Sequence, residues 1–189
     1  MVAHTTQNIL RQRSEKAFNI LCEELRNGDY PTCSTDDIDP AVAMMLRYQR
    51  AALEGAARLN LRLLARVFAG VGQNRPMVAD EFQSWADTLE GLRRSEIIAI
   101  AEVHRYTTDL ESKGKPNGLG KGANRFAESL VPDPFRNMNE LYAICESATR
   151  TGLIIRNLDM NLFPYLSTSL MKDLTELADF HDIIRKESA

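Results

Sequence analysis

The segment from Asp39 to Gly70 constrains this chain more than any other. Asp39 followed by Pro40 is a strong helix start. The carboxylate accepts from free N–H groups of the first turn, and proline suits the first helical position because its missing donor is not needed there. Gly70 and Gly72 tolerate the left-handed geometry of a helix stop. The spacing predicts a single helix over residues 40–69, about 30 residues and so about 45 Å long. Arg47, Arg50, Glu54, Arg58, Arg62 and Arg66 recur three and then four residues apart and make one narrow charged stripe. Val42, Met44, Met45, Leu46, Leu53, Leu59, Leu61, Leu63, Leu64, Val67 and Phe68 cover nearly all the rest. A helix apolar around most of its circumference must be sheathed on several sides. The segment is therefore expected to be the central post of a helical bundle.

The charge pattern bears on partners. Residues 40–76 hold six Arg against Glu54 alone, an excess of five, so the remainder of a chain with net charge −3 carries −8. This points to internal complementarity, with the Arg stripe facing acids on neighbouring helices. A pI near 5.7 argues against a surface given over to nucleic acid. The sharper alternative is that Arg47, Arg50, Arg58, Arg62 and Arg66 grip a phosphate backbone or an acidic partner. Cys22, Cys33 and Cys145 are far apart and odd in number, which fits a reducing compartment rather than a disulfide framework. The first ten residues lack an apolar signal core, and no uncharged apolar run approaches the roughly 20 residues of a membrane span. A cytoplasmic protein without membrane contact is expected.

The other elements follow from periodicity. A first helix is expected over about Thr6–Asn27, with Leu10, Ala17, Phe18, Leu21 and Leu25 inward. Residues 28–39 read as a turn-rich connection. A helix over about Val78–Leu92 carries Phe82, Trp85, Leu89 and Leu92 on one face, with Trp85, the only tryptophan, as a core anchor. Ser95 caps the next helix, which runs to about Leu110. Residues 111–125, with four Gly and three Lys, read as a flexible basic loop. A short helix over Ala123–Leu130 follows, and Asp133-Pro134 repeats the cap-plus-proline start for a helix ending near residue 151. Leu153–Leu158 and Leu162–Ser167 pair as a hairpin, with Pro164 placing its strand at an edge. A last helix extends from about Thr168 to Lys186.

From Ser95 onward the order is helix, loop, short helix, helix, glycine, two short strands, helix. With Gly152-Leu153-Ile154 at the end of the third helix and Tyr165-Leu166-Ser167-Thr168 before the last, this half resembles bacterial winged helix-turn-helix domains. In that family a recognition helix ends at such a "GLI", a two-stranded wing follows, and "YxLT" opens the next helix. The resemblance implies a winged-helix-like region over residues 94–189 and a recognition helix at about 134–151. Arg150 and Arg156 would meet phosphate near the wing, and Lys113, Lys115 and Lys121 would do so from the loop. The chain departs from the pattern in its longer 111–125 loop and in Glu140 and Glu146, which nearly neutralise the recognition helix.

Chemistry finds little support. A Walker loop needs GxxxxGK followed by Ser or Thr, but Gly120-Lys121 precedes Gly122 and the position five before Gly120 is Lys115. His4, His104 and His181 are scattered, and no HExxH, GxSxG or cysteine cluster occurs. The expectation is a mostly α protein without cofactor or metal. A helical bundle over residues 1–93 surrounds the long helix, and a winged-helix-like half with one short hairpin spans 94–189. Its expected role is that of a non-enzymatic bacterial or phage-type binding or assembly module, a homo-oligomer or a partner of another protein. The alternative is a winged-helix DNA-binding regulator.

Overall fold

The structure, a computed structural model, describes residues 2–26, 38–74, 79–113, 121–159 and 162–187. The chain is mostly helical, and among the described residues the one sheet is a two-stranded antiparallel hairpin near the C-terminus. The described residues divide into two compact units: residues 1–92 with 176–189, and residues 93–175. The last helix thus belongs with the N-terminal elements rather than with the half that precedes it.

The first unit contains α1 (Val2–Arg26), α2 (Ile38–Glu54), α3 (Arg58–Asn74), α4 (Ala79–Leu89) and α9 (Phe180–Lys186). The predicted 30-residue post is two helices. At Gly55 the backbone turns to φ +98°, a region L side chains rarely adopt. Ala56 N–H bonds the Ala51 carbonyl at 3.0 Å and Gly55 N–H bonds that of Ala52 at 3.2 Å. These are the two bonds of a Schellman stop, so α2 ends at Glu54 and α3 begins afresh at Arg58. Gly70 and Gly72, expected to stop the helix, lie inside α3. Glycine costs a helix about 1 kcal/mol but does not forbid it. Asp39 and Pro40 sit in the first turn of α2, which opens at Ile38.

Leu61, Leu63, Leu64, Ala65 and Val67 are all buried, so α3 is the covered element of this unit. It packs against α1, α2, α4 and α9. Phe82, Trp85, Ala86 and Leu89 seat α4, with Trp85 a core anchor as expected. Asn60 closes the far end of α4, its amide donating to the carbonyls of Leu89 at 2.6 Å and Leu92 at 2.8 Å. On α1, Ala17 and Leu21 face inward as expected. Leu10 and Phe18 do not, and Glu24 takes a fully buried place.

The second unit holds α5 (Arg94–Lys113), α6 (Lys121–Ser129), α7 (Met138–Ala148), β1 (Ile154–Arg156), β2 (Tyr165–Ser167) and most of α8 (Ser169–Leu177). Strand register is Ile154↔Ser167 through Arg156↔Tyr165. Three starts differ from expectation. Ser95 lies within α5, and the Glu96 carboxylate instead accepts from Arg93 N–H at 2.8 Å. Asp133-Pro134 lies in turns ahead of α7, whose cap is Asn137, accepting from Glu140 N–H at 3.0 Å. The expected last helix breaks at Asp179, which is extended and accepts from Asp182 N–H, opening α9. Tyr106, Phe126 and Phe163 form the aromatic centre, with Tyr106 and Phe126 rings stacked at 4.6 Å. The Tyr106 hydroxyl accepts from Phe163 N–H and Thr107 Oγ1 from Ser167 N–H, which pins the hairpin to α5. No helix among the described residues is long and apolar enough to cross a membrane.

Gly55→Ala tests the break between α2 and α3. An L side chain at this backbone angle is strained, and its Cβ would stand 3.3 Å from Arg13 Nη1. The expected cost is about 1–2 kcal/mol of unfolding free energy, read by urea denaturation followed through Trp85 fluorescence.

Candidate functional site

The five arginines proposed as one stripe do not share a face. Breaking the helix at Gly55 sends Arg47 toward α4 and the arginines of α3 toward α1 and α9. Arg47 donates to Asp87 at 2.7 Å and to Glu90 at 2.8 Å. Arg50 is exposed and pairs along its own helix with Glu54. Arg62 is 2% exposed and meets three carboxylates: Glu24 at 2.6 Å, Glu23 at 3.0 Å and Glu187 at 2.6 Å. Arg66 bridges Glu24 at 3.0 Å and Asp182 at 3.2 Å. Arg58, largely exposed, reaches Glu187 at 3.1 Å. Internal complementarity, anticipated from the excess of five charges, is therefore realised by residues 125 positions apart in sequence.

Burial alone would lower the basicity of Arg62, but the hydrogen bonds it donates to Glu23, Glu187 and Glu24 outweigh it and hold the guanidinium firmly charged. Arg62's hydrogen bond in turn pulls Glu23 below the ordinary carboxylate range. Lys186 and Arg185 do the same for Asp182.

In the second unit, Arg150 is committed to Glu96, which is buried at the start of α5. The Arg150 hydrogen bond leads, with Arg93 N–H and Ser147 Oγ, in lowering the Glu96 carboxyl to about 2. Arg156 pairs with Glu146 at 3.3 Å. Lys115 lies outside the described residues, as do the side chains of Lys113 and Lys121. Among exposed residues of α7, which are Asn139, Ala143, Glu146 and Ser147, the only charge is negative. Cys145 is buried and its thiol pushed up to about 12, Cys22 is half-buried, and Cys33 lies outside the described residues.

A different surface emerges on the first unit. Of nine large apolar side chains exposed among the described residues, six stand on α1 and α2: Ile9, Leu10, Phe18, Val42, Leu46 and Leu53. The two helices run antiparallel, since Tyr48 donates to the Ala17 carbonyl, Ser14 to Gln49 and Arg13 to the Leu53 carbonyl. Leu10 and Phe18 lie one turn either side of Ser14. Val42, Leu46, Gln49 and Leu53 recur at spacings of four, three and four. The α2 stripe faces outward, as does Phe18 on α1, while Ala17, Leu21, Tyr48 and Ala52 are buried; Leu10 and Ser14 share the face of α1 that carries Ala17 and Leu21, which leaves Leu10 only 39% exposed. The 4-3-4 spacing was visible in the sequence, but an all-round apolar helix gave no means of telling which stripe would stay uncovered.

Comparison with protein-family models, with curated proteins and with solved structures finds no match for this chain.

Two measurements probe these sites. Arg62→Met leaves Glu24 buried without its closest partner and is expected to cost about 3–5 kcal/mol. Arg50→Ala, which removes only an exposed pair along one helix, should leave the urea midpoint essentially unchanged. Trp85 lies in the same unit and reports both. Glu96 is depressed from 4.5 to about 2, so its contribution is complete above pH 4.5 and lost as pH falls toward 2. Glu96→Gln should lower stability at pH 7 by about 1–3 kcal/mol and flatten the stability–pH curve across that window, followed by circular dichroism.

Proposed function

We propose that this chain is a non-enzymatic protein-binding and assembly module of the cytoplasm that self-associates through its first unit. The observation that carries this reading is the exposed apolar edge of α1 and α2, where Leu46 is 65% and Phe18 53% exposed. Contiguous exposed apolar surface on a folded chain is a common mark of protein contact. The cationic groups that were candidates for phosphate contact in α3 are already answered by carboxylates from α1 and α9. Free cysteines at 22 and 145 fit a reducing compartment.

The winged-helix order of α5, α6, α7, β1 and β2 favours the second reading, a DNA-binding regulator, and Arg156 on β1 is its best placed cation. Against it stands the exposed face of α7, which offers Glu146 and no base. Phosphate contact supplies most DNA affinity and needs uncompensated Lys or Arg.

Light scattering at two concentrations tests the proposal. The wild-type chain should show a mass above that of the monomer, rising with concentration. Leu46→Asp and Phe18→Asp should both return it to 21.3 kDa, with monomer stability changed by no more than about 0.5 kcal/mol because both side chains point to solvent. A strict monomer, retained on DNA with steep salt dependence that Arg156→Glu removes, would overturn the reading in favour of the regulator.

A further inference from the structure

Resting on the self-association reading, we infer that the occupant of the α1–α2 edge is the same edge of a second copy, related by a two-fold axis that crosses the helices at the level of Ser14 and Gln49. The levels along the edge support this. Ser14 and Gln49 are hydrogen-bonded at 3.1 Å and mark its middle. Moving one turn, about 6 Å, in one direction reaches Leu10 on α1 and Leu53 on α2. Moving about as far in the other reaches Phe18 and Leu46, with Val42 a turn beyond. The two ends differ in relief: Leu10 and Leu53 are each 39% exposed, whereas Phe18, Leu46 and Val42 are all more than half exposed.

An axis across the helices sets the prominent end of each copy against the shallow end of the other. An axis along the helices would crowd the two prominent ends and leave the shallow ones apart. Interfaces of this isologous kind need a patch that complements itself, and reversal end to end provides it here. The centre carries no charge: Ser14 and Gln49 are neutral, and the Ser14 hydroxyl donates to Gln49 Oε1. The flanks carry one charge of each sign, Arg11 with Glu15 on α1 and Arg50 with Glu54 on α2. Reversal brings Arg11 of one copy toward Glu15 of the other, so the faces meet without net charge. A lipid surface would call for flanks rich in Lys and Arg alone. The product is a four-helix arrangement in which α1 crosses α1 and α2 crosses α2, each pair antiparallel.

Cysteine crosslinking distinguishes this arrangement from self-association of any other kind. In a Cys22→Ser, Cys33→Ser background, Ser14→Cys places a thiol on the axis in each copy, and Gln49→Cys is an independent second probe. Ser84→Cys, exposed on α4, is the control. Under mild oxidation, dimers joined at position 14 or 49 should form at least tenfold faster than at 84, and Phe18→Asp should abolish the difference. A dimer by light scattering whose Ser14→Cys and Gln49→Cys forms crosslink no faster than the control overturns this geometry and leaves the self-association reading standing. A strict monomer by light scattering overturns both.

Discussion

The ion cluster around Arg62 is the constraint on which the first unit rests. Arg62 is almost wholly withdrawn from water, and Glu24 is wholly so. Either charge alone in such a place would be strongly unfavourable, while the pair with its extra hydrogen bonds is tolerable. The requirement is therefore mutual: α1 must deliver Glu23 and Glu24, α3 must deliver Arg62 and Arg66, and α9 with its C-terminal cap must deliver Asp182 and Glu187. Apolar contact would accept many registers between these helices. A buried guanidinium that needs three carboxylates accepts far fewer, and that makes the cluster a determinant of register as much as of stability. It also explains why residues 176–189 return to the first unit, since Phe180 and Ile183 supply burial and the two acids supply the match.

The Gly55 stop is what allows the cluster to form. On one straight helix, Arg47 and Arg62 would lie along a slowly drifting stripe and would seek partners on one side. With α2 and α3 separate, Arg47 turns to Asp87 and Glu90 on α4 while Arg62 and Arg66 turn to α1 and α9. One glycine thus splits a positive stripe into two neutralised sites.

Much of this was legible from residue order. The mostly helical class, the hairpin near 154–167, Trp85 in the core and the arginine-to-acid complementarity all follow from spacing, turn residues and net charge. The errors have a common source. Apolar periodicity runs without interruption from Val42 to Phe68, so pattern alone joins α2 to α3 and cannot weigh one glycine whose left-handed backbone depends on tertiary context. The same ambiguity moved the starts of α5 and α7, where Glu96 and Asn137 took roles assigned to Ser95 and Asp133. It also hid the break at Asp179, where an acid caps a new helix inside an apparently continuous one. At Glu96, Asn137 and Asp179 a local side-chain hydrogen bond competes with the helix period, while at Gly55 two backbone bonds do so, and only packing decides between them.

The candidate site was harder to read because its residues are apolar and its candidates were charged. Searching a sequence for uncompensated arginine finds Arg62, yet burial and three acids make that residue structural. Searching for apolar side chains finds Leu46 and Phe18 and assigns them to a core. What separates the two outcomes is three-dimensional balance. Most of the described apolar side chains of α3, which packs against four helices, are buried and its arginines are paired, whereas Phe18 on α1 and Val42 and Leu46 on α2 stand more than half exposed. The charged stripe is spent within the fold, and the apolar one on α2 stays in contact with solvent.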